Sequence, residues 1–445
     1  MPDYKKLNPE EVKIKREQFL RKTNDSAKLN PDITNFASVE DALPYASSMK
    51  KLIIAGNGLK ELSPKIREFK ELEAIDLTRN SLTTLPDDLA ELKKLKTIVL
   101  QRNQFKDFPL VLTQISSLEL IDFSFNYLET LPPQISSLSN LEELKLLANK
   151  ISFLPSSFAD LKNLKSINID VNKLEAFPEE LTQIENLEYL NLAKNQISSL
   201  PESIKRLTNL KTLIISSNKF AELNEHIGSL SSLEYLDVQY NSLASLPKEI
   251  GKLNKLKKLH LGSNDFVSFP DNISELKQLE ELTLSSLKVK KFPDFSKFNM
   301  VRTLDLSNNN LTELAKYLAD FKNLKEVNLA ANKFKAPPSV LFSMDWLEKL
   351  NITRNELTEI PSDISKIKNL SLLNMNANKI EKVSGSIAQL KQLQTLMLSS
   401  NKIKKLPNEL SSMQNLKFIY LQQNKIEQKD KDEITKLLPN AKVKF

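Results

Sequence analysis

The sequence predicts an α/β solenoid: short strands form a concave parallel sheet, and short helical or 3-10 segments return along the convex side. Three observations predict it. An asparagine recurs every 23 residues, at Asn57, Asn80, Asn103, Asn126, Asn149, Asn172, Asn195, Asn218, Asn241 and Asn264, then from Asn309 through Asn332, Asn355, Asn378 and Asn401 to Asn424. Apolar residues, mostly leucine, hold fixed phases around it, in the pattern LxxLxLxxNxLxxLP. Twelve of the twenty prolines stand six residues after the asparagine slot, so each such unit breaks at the same point.

The first 45 residues read as an N-terminal helical cap, with 9–22 a charged helix carrying Val12, Phe19 and Leu20 on one side. Residues 46–427 follow as seventeen repeats. In the unit of Asn149, Leu144 and Leu146 flank Lys145, the period of a strand with one buried face. Leu141, Ile151 and Leu154 add to the same interior, and a 23-residue unit cannot enclose them alone, so neighbouring units must stack. The asparagine amide is placed to bond the backbone of its own coil and the next. The proline opens the outer segment, where Ile135, Leu138 and Leu141 bury one side of a helical turn. One unit, around 280–300, is irregular: Leu287 takes the asparagine slot and the step to Asn309 is 22 residues. Either the fold tolerates this, or the curvature changes there and divides the arc. Residues 428–445 form the C-terminal cap, a helix over 430–438 and a last strand over 441–445 that contains Lys442, Val443, Lys444 and Phe445.

Composition narrows the function. With 40% apolar and 27% charged residues, neither wholesale disorder nor a membrane-inserted chain is expected. The opening MPDYKKLNPEEVKIKREQFL has charges throughout and no apolar centre, so no secretory leader is expected. The expected location is the cytoplasm, with access to the nucleus left open. The sequons at Asn24, Asn272, Asn310, Asn351 and Asn369 are then chance matches. The absence of cysteine removes disulfides, thiolate metal sites and thiol nucleophiles. Two histidines, His226 on the outer segment and His260 on the inner strand face, cannot share a site, and six glycines build no phosphate loop. No enzyme, cofactor or metal is expected. The net charge of +7 is modest, with +5 of it within 402–445, and gives no reason to expect nucleic acid.

Units such as LPESIKRLTNLKTLIISSNKF and LPKEIGKLNKLKKLHLGSNDF resemble the 23-residue repeats of intracellular Ras-group leucine-rich-repeat proteins. The resemblance covers 49–426 and implies a leucine-rich-repeat horseshoe, which is specific for fold and weak for function. It implies a monomeric scaffold or adaptor with protein partners. One candidate partner is the catalytic subunit of type-1 serine/threonine protein phosphatase, and a Ras-like small GTPase is the alternative. A microbial effector or pathogen-sensing module is a third reading.

Binding residues are expected where side chains alternate with the buried strand leucines. The candidates on the concave side are Arg79, Arg102, Asp122 and Phe125 in early coils, and Tyr189, Tyr235, Asp237, Tyr240 and His260 in middle ones. Lys442, Val443 and Phe445 fit the basic-Val-any-Phe pattern by which type-1 phosphatase regulators dock, an edge strand whose two apolar side chains enter pockets. The competing reading is that Val443 and Phe445 close the core of the last coil.

Overall fold

The structure, a computed structural model, describes residues 34–287, 292 and 294–445. The helix expected over 9–22 lies outside the described residues. The described chain begins with a bridge from Asn35 to Ile53, a single helical turn, Val39–Ala42, capped by Ser38, and a 3-10 turn, Leu43–Tyr45. Val39 and Ala42 are buried against the first coils.

Every unit contributes a three-residue strand, from Lys51–Ile53 to Phe418–Tyr420, and Lys442–Lys444 adds the last of eighteen in one parallel sheet. Sequence neighbours pair throughout. Leu144 lies between Ile121 and Ile167, an offset of 23 residues on each side. The strands are short because the chain turns at both ends, so the sheet grows across coils and not along them. The middle residue of each strand points inward, and Leu144, Leu146, Leu141 and Ile151 are fully buried in one continuous apolar core.

Between Lys51–Ile53 and Phe418–Tyr420, outside the irregular coil, the outer segments are 3-10 helices of five residues, such as Pro133–Ser137 after Pro132 and Ser156–Asp160 after Pro155. The slot proline sits at the N-cap, extended, and its carbonyl accepts the first helical bond, as Pro132 does from Ile135 N–H at 3.0 Å.

The asparagine ladder has the expected connectivity. Asn149 Nδ2 donates to Leu146 O in its own coil and to Phe123 O in the coil before, each at 3.0 Å, while its Oδ1 accepts from Leu128 N–H at 3.0 Å. A backbone N–H can bond only an oxygen, so this arrangement also fixes which way the amide faces. Immediately before each ladder position stands a residue with left-handed backbone, held by a bond to the next coil, as Ala148 N–H is by Asp170 O at 2.9 Å.

The irregular coil is absorbed without a break in the sheet. Glu281 pairs with Thr303, 22 residues on, and Leu282 with Leu304, so pairing passes straight through. Leu287 is buried, and Asn309 bridges the two coils: its Nδ2 donates to Leu284 O and its Oδ1 accepts from Leu287 N–H, both at 2.7 Å. Beyond it, Asp294 Oδ1 accepts from Ser296 N–H, and the buried rings of Phe295 and Phe298 stack 5.1 Å apart.

At the other end the helix is Gln428–Leu437, two residues earlier at its start than expected, and it buries Ile434. Val443 pairs with Ile419 in the terminal strand.

Thermal melts test these assignments. Leu144→Ala is expected to cost about 2–5 kcal/mol and Asn149→Ala about 1–3 kcal/mol, because backbone groups on two coils lose their partner. Lys145→Ala, which removes a partly exposed ion pair with Glu143, is expected within about 0.5 kcal/mol of the native protein. A ranking with Lys145 as the worst of the three would reverse the inner and buried faces.

Candidate functional site

The first and third residues of each strand face the concave side, and the third forms a column down its centre. Nine Asp or Asn side chains in that column turn back onto the backbone of their own coil. Asp76, Asp122, Asn191 and Asp237 each accept from the N–H two residues later, at 2.9, 2.8, 3.0 and 3.0 Å, and Asn168, Asp305, Asn328, Asn351 and Asn374 do the same. The N–H thus satisfied is the one that strand pairing leaves behind as the chain bends away. Asp122 and Asp237 therefore cap their strands, and burial pushes both carboxyls above the usual carboxylate range.

The middle-coil aromatics separate into two places. Tyr189 and Tyr235 head the strands Tyr189–Asn191 and Tyr235–Asp237, with one strand between them, about 10 Å at the usual interstrand spacing. Burial pushes the Tyr189 hydroxyl up. Tyr240 lies on the rim, at a left-handed position (φ 53°), 62% exposed.

What the fold does bring together is a chain of side chains across three strands. Tyr235 Oη lies 3.2 Å from His260 Nδ1, and His260 Nε2 lies 2.9 Å from Glu281 Oε1. A carboxylate only accepts, so Nε2 carries a proton and, in the neutral ring, Nδ1 accepts from the tyrosine hydroxyl. The Tyr235 and His260 rings meet edge to face at 5.1 Å, and Lys258 Nζ reaches Glu281 Oε2 at 2.9 Å. The His260 hydrogen bond, aided by Lys258, holds the Glu281 carboxyl down at about 2 despite partial burial. Lys258 and Glu281 were not among the sequence candidates. Their signal was a column, since Tyr235, Lys258 and Glu281 share one phase of the 23-residue repeat.

The two rims of the sheet differ. Along one, the residue before each strand alternates in sign from Lys50 to Glu119 and again from Glu142 to Glu280, and lysine meets glutamate of an adjacent coil: Lys50–Glu73 at 2.7 Å, Lys96–Glu119 at 2.8 Å, Lys165–Glu142 at 2.8 Å, Lys211–Glu188 at 2.7 Å and Lys257–Glu234 at 2.8 Å. Along the other run the left-handed residues, where Arg79, Arg102 and Phe125 occupy successive coils with φ of 57°, 58° and 59°. The Arg102 guanidinium sits 4.6 Å from the centre of the Phe125 ring, which is 38% exposed. Val171 holds the same slot two coils on, at φ 56°. A β-branched residue there costs about 1–2 kcal/mol.

At the C-terminus, Lys442 and Lys444 face the concave side, Val443 is partly buried against the core, and Phe445 is 38% exposed with Lys431 Nζ 5.6 Å from its ring. No group of His, Cys, Asp and Glu among the described residues is arranged to hold a metal ion, and no described helix is long and apolar enough to cross a membrane.

Because the folded Glu281 pKa lies below its ordinary value of 4.5, its ionised form contributes stability above that pH and the contribution disappears as pH falls towards about 2. The difference in melting temperature between the native protein and Glu281→Gln is expected to be largest above pH 5, equivalent to about 1–2 kcal/mol after screening, and to close by pH 2–3. A difference independent of pH would remove the His260 bond as its cause.

The family described as "Leucine-rich repeat region" matches residues 202–292 and 282–438, and that described as "Leucine rich repeat" matches 47–105, 116–174 and 162–220. No curated protein sequence matches the chain. Among solved structures, the chain is similar to a leucine-rich-repeat protein of Leptospira interrogans, with 28% identity and a TM-score of 0.62, over 93% of this chain and 100% of that one. It is also similar to the Arabidopsis receptor kinase HAESA, solved in complex with the peptide hormone IDA and the co-receptor SERK1, with 27% identity and a TM-score of 0.58, over 86% of this chain and 71% of that one. With its repeats matched in sequence and its coils in space, the chain belongs to the leucine-rich-repeat proteins.

Proposed function

We propose that the protein is a non-catalytic cytoplasmic scaffold that holds a partner protein on its concave face, seated over the middle coils. The observation that carries this reading is the bonded row Tyr235, His260 and Glu281. It fixes an aromatic and two polar groups in place before any partner arrives, so little side-chain entropy remains to be lost on binding. Tyr189 and Tyr240 flank that row, and tyrosine combines large contact area with few rotamers. A protein or peptide occupant also accords with the peptide hormone and co-receptor bound by the HAESA receptor.

The partner proposed is the catalytic subunit of type-1 protein phosphatase, docked through Lys442, Val443 and Phe445. Supporting it, the motif is already an extended strand. Against it stands the partial burial of Val443, which must leave the core for its side chain to enter a pocket. A Ras-like GTPase bound by the concave face is the alternative, and it makes no use of the terminus.

Two measurements separate these readings. Replacing Tyr189, Tyr235 and Tyr240 together by alanine is expected to weaken the partner complex by more than about 2 kcal/mol in calorimetry, with little change in the melt. Equal binding would move the site off the middle coils. The double change Val443→Ala with Phe445→Ala is expected to abolish retention of purified phosphatase catalytic subunit. If it instead leaves retention unchanged and raises hydrogen exchange over 416–445, the two residues seal the last coil, and the phosphatase reading gives way to the GTPase one.

A further inference from the structure

One stretch of the left-handed rim carries cations beside its ladder and no acid. From the coil of Asn80 to that of Asn218, the positions just before and just after the ladder asparagine number fourteen. Six are cations, Arg79, Arg102, Lys150, Lys173, Lys194 and Lys219, and none is an acid. On the opposite rim lysines are neutralised by glutamates of adjacent coils at 2.7–2.8 Å. Here the contacts are of another kind. Arg102 lies over the Phe125 ring at 4.6 Å, Lys150 Nζ lies 5.3 Å from the centre of the Tyr127 ring, and Lys219 Nζ donates to Gln196 Oε1 at 2.9 Å. Lys194 exerts a field on Asp170 that partly offsets the rise burial imposes on its carboxyl.

The same stretch exposes apolar surface. Phe125 is 38%, Tyr127 47% and Val171 37% exposed, and Phe125 and Val171 hold left-handed backbone that disfavours large or branched side chains. Phe125 and Tyr127 lie on the same coil, between Arg102 on the coil before and Lys150 on the coil after. An aromatic step is thus bracketed by two cations that lie over its own rings, Arg102 on Phe125 and Lys150 on Tyr127.

We propose that this rim is a second docking surface, separate from the concave centre, and that its occupant is an extended acidic segment of a partner protein carrying an apolar side chain between carboxylates. Charge complementarity selects the occupant. Six intervals between seven coils span roughly 29 Å, the length of about nine extended residues. The cationic strip is only two positions wide. Asp76, Asp122 and Asp170 border it on the concave side, and Glu129 and Glu175 on the other. A nucleic-acid backbone, with its unbroken phosphate charge, would lie against those carboxylates, whereas separate acidic side chains can meet the cations one at a time. A second copy of this chain is a poor occupant, because the carboxylates on its opposite rim are already paired with lysines.

The test is selection from a random twelve-residue peptide display library on the immobilised full chain, followed by fluorescence polarisation with the synthesised winners. Asp and Glu flanking Phe, Leu or Trp are expected to be enriched, and affinity is expected to fall at least tenfold between 50 and 300 mM salt. Arg102→Glu with Lys150→Glu is expected to weaken binding at least tenfold with an unchanged melt. Phe125→Ser with Tyr127→Ser gives a second, charge-neutral variant expected to do the same. The triple tyrosine variant of the concave centre is expected to bind these peptides normally, so loss of the concave-partner reading and loss of this one give different results. Winners without acidic enrichment, no winners, insensitivity to both rim variants, or tighter binding of a twelve-nucleotide oligouridylate than of any peptide would each overturn the proposal.

Discussion

One side-chain amide makes this architecture possible. A strand of three residues cannot hold itself, and a chain that reverses twice per unit leaves backbone groups facing the interior at every turn. The ladder asparagine offers one oxygen and two hydrogens at a single point, and Asn149 spends them on its own coil and the one before. Leucine packing supplies most of the free energy of the stack. The amide decides where each coil lies on the last, because packing is non-directional and hydrogen bonds are not.

The left-handed residue beside the ladder follows from that choice. To present the amide inward, the chain must turn sharply just before it. Sixteen non-glycine residues directly before a ladder slot therefore take positive φ in the described chain, Arg79, Phe125, Val171 and Tyr240 among them. Their side chains are thrown onto the rim. A structural requirement of the interior thus creates a regular row of projecting positions, whose side chains are left to function. Leu287 shows the limit of the rule. Its side chain offers no amide, yet the fold continues because Asn309 bonds both Leu284 and Leu287 from the far side.

Much of this was legible in the sequence. The 23-residue period set the strands, the buried leucines, the ladder and the outer turns, because each is a local repeat of one pattern. Side-chain geometry was less visible. Asp122 and Asp237 read as exposed polar residues, but their role as strand caps depends on an N–H two residues away. The aromatic cluster read as one group because the sequence shows phase and not rim. Tyr235 turns towards His260 on the adjacent strand, while Tyr240 stands outside the sheet. Glu281 was missed because its partner is 21 residues distant and belongs to another column.

The paired rim also bears on how such a chain can change length. Repeat proteins gain and lose material in whole units, since any other cut shifts every buried side chain. From Glu142 to Glu280 the residue before each strand alternates strictly in sign. Loss of one coil between these two sets glutamate beside glutamate, or lysine beside lysine, at a place where every neighbour had an opposite partner. Loss of two adjacent coils restores the alternation. Each pair is worth only about 0–1 kcal/mol, too little to hold the solenoid together, but the difference between attraction and repulsion at one seam favours growth and shrinkage by twos, so the charge pattern acts as a parity rule on the number of coils.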